Sequence, residues 1–211
     1  MPRQVRRRRT PEAGTRERLF AAAAAEFAAR GFAGANVDRI ADAAGVNKAM
    51  LYYHFDSKAS LYGEVLRDMF QAVADRLAAR TAPGADPADR IRTLVEVIAQ
   101  EALARPHFPP IWLREIAEGG AHVDRDTMAV VGRILQHVFV AVEEGVKARR
   151  FRPVQPLLVQ LGIVGPLLMF FATAPLRRKA PPGMARAVDL PVDEVIAHVQ
   201  RVALLTLEAK R

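Results

Sequence analysis

Between residues 36 and 58 the chain places Asn36, Asn47, Lys48, Tyr52, Tyr53, His54 and Lys58 within a short span. These are hydrogen-bond donors and cations rather than a nucleophile with its base. Lys48 stands near a helix start, where a lysine can donate to guanine or to phosphate. Tyr52 and His54 can donate to phosphate oxygens, contacts that fix position without reading sequence. Lys58 falls in the first turn of a further helix, where outward-pointing N–H groups already favour an anion. Asn36 and Val37 open another helix and offer a second seat of that kind. The chemistry on offer is recognition of phosphates and base edges.

Those side chains need elements to hold them, and the spacing supplies three short ones. A first helix is predicted from about Thr15 to Arg30, with Leu19, Ala23 and Phe27 on one stripe and Gly31 at its C-cap. Asn36 caps a second helix through Ile40 and Ala41 to Ala44, which Gly45 ends. Asn47 caps a third, Lys48 to about His54. Ala41, Ala44 and Gly45 give a tight small-residue elbow, the signature of a helix-turn-helix, whose second helix enters a major groove. Val46, Leu51 and Phe55 are the expected anchors, leaving Asn47, Lys48, Ala49, Met50, Tyr52, Tyr53 and His54 to divide between base edges, phosphates and packing. Helical hairpins in enzymes share this local pattern, so the elbow alone leaves both readings open.

The rest of the chain reads as helices only, with no Asn-Gly hairpin signal and no sustained alternation. Asp56 or Ser57 starts a fourth helix carrying Leu61, Val65, Met69, Val73 and Leu77 inward. Helices five to nine follow, the ninth opening at Asp193, for about nine in all. The segment Leu157–Leu176 has no charge and is long enough to cross a bilayer. It contains Gln160, Pro166 and Pro175 and stands among charged amphipathic helices, which favours burial between its own domain and a second subunit.

Composition narrows the class further. Of 211 residues, 51% are hydrophobic and 26% charged, and the formal net charge is +8. The five arginines at positions 3, 6, 7, 8 and 9 carry most of that excess. Such an arm is too charged to pack, and is either a tether to nucleic-acid phosphate or a solvated tail. No apolar core follows it, so it does not read as a secretory signal. Cysteine is absent, which excludes thiolate nucleophiles, disulfides and Cys-ligated metals and suits a cytoplasmic setting. His107, His122, His137 and His198 show no metal-ligand spacing, and Glu115/Glu118 read as helix-face charges. No nucleophile elbow or phosphate-cradling glycine loop is present. The chain is expected not to be an enzyme and to need no metal or cofactor.

Residues 15–66, TRERLFAAAAAEFAARGFAGANVDRIADAAGVNKAMLYYHFDSKASLYGEVL, resemble the N-terminal domain of the TetR/AcrR family of transcriptional regulators. The matching stations are Ala23, Phe27, Gly31 and Phe32, then Ile40-Ala41, Ala44-Gly45-Val46, Leu51-Tyr52-Tyr53-His54-Phe55, Ser57-Lys58 and Leu61. The resemblance implies an all-α protein with a three-helix DNA-binding head and a larger effector-binding and dimerisation core. Mapped by position, Tyr52, His54 and Lys58 match phosphate contacts, and Asn47, Lys48, Ala49 and Tyr53 fall where recognition-helix contacts lie. Asn36 and Asn47 replace the usual Thr or Ser and still cap, whereas Ala49-Met50 replaces a frequent Gly-Thr and alters the surface toward the bases. The implied layout is a disordered arm over 1–14, a head over 15–60 and a core over 61–211. Implied too are a homodimer through helices eight and nine and a pocket for a small apolar effector, with candidate lining residues Phe108, Trp112, His137, Phe139, Met169, Phe170 and Phe171. The expected partners are double-stranded operator DNA and that effector, with no membrane contact. The function so implied is a repressor released from a palindromic operator by its ligand; the alternative is a constitutive dimeric regulator without an effector.

Overall fold

An alanine-rich run with acids and arginines on its outer side makes the first helix. Ala21–Ala25 cost almost nothing in side-chain entropy, and Leu19, Ala23, Ala24 and Phe27 form a buried stripe. In the computed structural model, which describes residues 11–208, this helix α1 runs Pro11–Gly34. It is longer than the spacing predicts at both ends. Gly31 does adopt a left-handed φ of 67°, but the chain winds one more turn beyond that kink. Residues 11–14, expected to be part of a disordered arm, are helical; the five arginines of the arm lie outside the described residues.

The described residues are all-helical, with eleven helices and no strands, and two of the helices were not foreseen. They divide into two compact units, with the boundary between Val65 and Leu66. The first unit holds α1, α2 (Val37–Ala43), α3 (Lys48–His54) and the first two turns of α4 (Lys58–Arg80). Its core is Leu19, Phe27, Ile40, Leu51, Phe55, Leu61 and Tyr62, all essentially excluded from solvent. Tyr62 meets Phe27 edge-on at 4.6 Å and Phe32 at 5.2 Å, a favoured aromatic geometry.

The second unit holds the rest of α4 and α5 (Pro87–Ala104), α6 (Phe108–Ala117), α7 (Arg125–Lys147), α8 (Pro156–Ala172), α9 (Ala174–Arg177), α10 (Pro182–Val188) and α11 (Val192–Leu207). Helix α5 is its axle, packed against α7, α8 and α11. Asp86 caps it through the Ala88 N–H, and Ile91, Leu94, Val95, Val97, Ile98 and Ala99 are buried on almost every side. The single-helix run expected over 157–176 is instead α8 followed by the one-turn α9, broken at Thr173. Pro166 sits inside α8. Its missing N–H leaves the Gly162 carbonyl without a donor at the usual position.

Helix α8 shows three kinds of side chain. Val159, Ile163 and Leu167 are in the core, while Leu158, Gly162 and Met169 are exposed. The third stripe, Leu157, Gln160, Leu161, Val164 and Leu168, lines a cavity. The end of α7 is fixed by an unusual contact. The Phe151 ring packs so closely on Gly145 that a Cβ there would lie 2.1 Å from a ring carbon. Arg149 takes a φ of 56° to make the turn, and Phe151 then bridges to Glu208 at the end of α11. No helix among the described residues is long and apolar enough to cross a membrane.

Candidate nucleic-acid interface

Two asparagines start the two helices of the elbow. The Asn36 side chain accepts from Asp38 N at 2.7 Å and Arg39 N at 3.4 Å. The Asn47 side chain accepts from Met50 N at 3.0 Å. Each cap satisfies backbone donors that a helix start leaves open. Between them Gly45 adopts a φ of 66°, and Val46 N closes the turn onto Ala41 O at 3.0 Å. Only a residue without a Cβ takes that conformation without strain. Arg18 reaches from α1 to the Ala44 carbonyl at 3.1 Å, holding the elbow from behind.

Glu26 is the post against which α2 is set. Its carboxylate accepts from Asn36 N at 3.2 Å and from Arg39 Nε at 2.7 Å. Burial by itself pushes this carboxyl up; the donors from Arg39 and Asn36 and the charges of Arg39 and Arg30 outweigh it and hold it below the ordinary carboxylate value.

Helix α3 turns Leu51 and, at its end, Phe55 into the core. One turn apart on the opposite side, Lys48, Ala49, Tyr52 and Tyr53 are exposed, Tyr53 to 71%. Residues at these spacings share one helical face. Val46, expected as an anchor, is only half-buried. Lys48 is not an isolated cation: its ammonium pairs with Asp38 across the turn at 3.0 Å. The Asp38 hydrogen bond and charge raise its pKa above the ordinary lysine value.

Two expected phosphate contacts are turned inward. The Lys58 ammonium donates to Phe32 O at 2.9 Å and Ala35 O at 3.2 Å and lies 4.5 Å above the Phe32 ring. It satisfies carbonyls where α1 ends, as cations at helix C-termini do, and two of its three protons are spent there. Ser57, one of the two expected starts, caps α4 by accepting from Ser60 N. His54 is half-buried with its ring edge-on to Tyr53 at 5.1 Å. Its Nε2 is shielded and has no partner among the described residues, so that atom does not present a donor to solvent. Asn36, Val37, Asn47, Lys48, Ala49, Tyr52 and Tyr53 remain exposed or half-buried. Sequence reasoning passed over Glu26 and Asp38, each ten residues from its partner and marked by no local spacing.

Residues 19–65 match the family described as "Bacterial regulatory proteins, tetR family". Residues 19–65 form a domain of the TetR family. The chain carries that domain's helix-turn-helix in its α1–α3 head. It is 29% identical to the HTH-type transcriptional repressor NicS of Pseudomonas putida over 140 residues, covering 65% of this chain and 66% of NicS. It is 50% identical to the HTH-type transcriptional repressor SCO4008 of Streptomyces coelicolor over 58 residues, covering 28% of this chain and 30% of that protein. Both matches span less than two thirds of the relative's length. The TetR-family regulator PfmR of Thermus thermophilus shares the fold with a TM-score of 0.68 and 23% identity, over 91% of this chain and 100% of PfmR.

The second unit contains a cavity of about 350 Å³ between α4, α5, α6, α7 and α8. Phe108 and Trp112 line it, as expected, with Phe70 packed edge-on to both. His137, Phe139, Met169, Phe170 and Phe171 do not. His137 Nε2 donates to the Arg90 carbonyl at 3.2 Å, and burial foremost lowers its pKa. Phe170 and Phe171 stack edge-on at 5.2 Å, with the Arg177 guanidinium 4.0 Å over Phe170. Those five aromatic or sulfur-bearing side chains follow helix faces that point elsewhere, which residue type alone does not reveal.

Glu115 also departs from expectation. It is a fully buried side chain rather than a helix-face charge. It accepts from His122 N at 3.2 Å and faces His122 Nδ1 at 2.9 Å, fastening the loop between α6 and α7. Ligand-capable atoms of Glu115, Glu118 and His122 lie within 4.8 Å of one another, a gathering that the spacing of the histidines did not suggest.

Proposed function

We propose that this protein is a ligand-responsive transcriptional repressor that binds a palindromic operator as a homodimer. The observation that carries the reading is the face of α3: Lys48, Ala49, Tyr52 and Tyr53 stand exposed on a short helix whose other side is locked into the core. A rigid rod with polar, donor-bearing residues along one side suits a major groove. Relatives named as repressors favour repression over activation. A chain that acts on an operator works in the cytoplasm.

Dimerisation through α8 and α11 is supported by what those helices leave uncovered. Leu158, Met169, Val202 and Leu205 are each about half exposed, more apolar surface than a monomer ordinarily shows on two adjoining helices. Gly162 and Gly165 have open space where a Cβ would stand, which permits close approach of a second copy. Two heads related by a twofold axis then meet successive major grooves, ~34–36 Å apart.

Ligand control is supported by the apolar cavity. A molecule that fills it in one arrangement of the core and not in another shifts the population between them and changes DNA affinity. The test is selection of bound duplexes from random DNA, followed by fluorescence anisotropy on the selected site. An inverted repeat with half-sites one helical turn apart is expected. Recovery of no enriched sequence, or of a lone half-site bound by monomer, overturns the reading.

A further inference from the structure

The cavity wall holds no charged side chain, and apart from the Trp112 indole its one polar group is Gln160. Gln160 is 8% exposed, and its Oε1 is shielded from solvent with no hydrogen-bond partner among the described residues. It stands on the α8 stripe that faces the cavity, between Leu157 and Val164. An amide acceptor buried without a donor costs stability, and a bound donor recovers that cost. Apart from that indole the remaining wall is apolar, with Val73, Ile98, Ile134 and Leu168 among it.

We infer that the cavity takes a neutral, largely apolar molecule that carries a hydroxyl group, and that Gln160 is the residue that recognises this hydroxyl. The inference rests on the effector reading given above. A hydroxyl both donates and accepts, so it suits either edge of the amide. A carboxylate or phosphate would enter a wall without Lys, Arg or His and lie there without a counter-charge, which disfavours anions. A plain hydrocarbon would fill the space and leave the amide unmet. At about 350 Å³ the volume suits a ligand at the small end of the usual range of ~300–1,000 Å³.

The chain's single tryptophan is Trp112, in the cavity wall, so its emission reports occupancy. The full chain is titrated with 1-dodecanol, with the methyl ether of 1-dodecanol and with dodecanoate, following Trp112 emission and the melting temperature. The alcohol is expected to bind about tenfold more tightly than either of the others. Gln160→Leu is expected to bind alcohol and ether equally and to melt higher than the parent when no ligand is present; Gln160→Met serves as a second variant of the same design. Equal binding of alcohol and ether by the parent, or a preference for the alcohol that survives both substitutions, overturns the role of Gln160 while leaving the cavity as an effector site. Failure of all three probes to move either readout in the parent and the variants overturns the effector reading itself, and this inference with it.

Discussion

Lys48 and Asp38 form an ion pair across the elbow, Nζ to Oδ1 at 3.0 Å, joining the start of α3 to the first turn of α2. The cation best placed to meet DNA is therefore already engaged when no DNA is present. Asp38 holds the lysine in place and at the same time sets a negative charge beside it. Asp38→Asn is expected to tighten binding to every duplex and to steepen the salt dependence by about one counterion. Lys48→Ala is expected to change which operator is preferred. Anisotropy over a salt series, on a selected site and on a scrambled one, reads both effects.

Lys58 gives the opposite expectation. Its two hydrogen bonds to Phe32 O and Ala35 O make it a clamp within the head. Lys58→Met should lower stability by about 1–3 kcal/mol and leave the slope of affinity against salt unchanged. Thermal melting together with the same salt series separates a clamp from a phosphate contact, because only the latter moves the slope.

Gly145 has no room for a methyl group, since the Phe151 ring occupies that place. Gly145→Ala should cost at least about 1–3 kcal/mol, the usual penalty of overpacking. A double variant with Phe151→Ala should recover part of the clash and lose the ring's burial instead. Denaturant unfolding of the two single variants and the double variant yields the coupling.

Acid should weaken the two units over different ranges. His107 and His137 are held below their ordinary value of 6.5, by burial first. Histidines with lowered values support the folded state above 6.5 and lose that support as pH falls through their depressed values. Glu26 is held below its ordinary value of 4.5, so its contribution is complete above 4.5 and is lost below it. The second unit should therefore begin to lose stability below about pH 6.5 and the head below about pH 4.5. Glu26→Gln should flatten the lower limb alone. Melting temperatures from pH 7 to pH 3.5 check both limbs.

Leu158 and Val202 stand on the exposed faces of α8 and α11. Leu158→Arg should yield a folded monomer that binds a half-site weakly and the full operator without avidity. Sedimentation reads the mass, and anisotropy reads the affinity. A dimer that persists with Leu158→Arg and Val202→Arg combined places the subunit contact elsewhere.

What the sequence disclosed was mostly local. Asn36 and Asn47 are read as caps because a cap bonds two or three residues on, and Gly45 is read as an elbow because its conformation is its own. The inward turn of Lys58 was hidden because its acceptors are 26 and 23 residues away. Glu115 looked like a surface charge until its partner, seven residues on and past two glycines, came back over it. Helices α9 and α10 escaped notice because each is a turn or two of exposed chain beside prolines, without the apolar repeat that marks a packed helix. The cavity is half legible: Phe108 and Trp112 follow a Pro-rich corner that directs them inward, whereas Gln160 stands in the sequence only as an interruption of an apolar run.

Pro166 gives α8 a weak joint. One rung of its ladder is missing at Gly162, on a side where neither Gly162 nor Gly165 brings a side chain to brace it. Bending of this rod concentrates at that joint, so the stretch carrying Leu157, Gln160 and Leu161 can flex independently of the stretch that carries Leu168 and ends at Ala172. A guest that presses on the first stretch moves it as a lever about a fixed pivot, and amide exchange should be fastest beside the pivot itself.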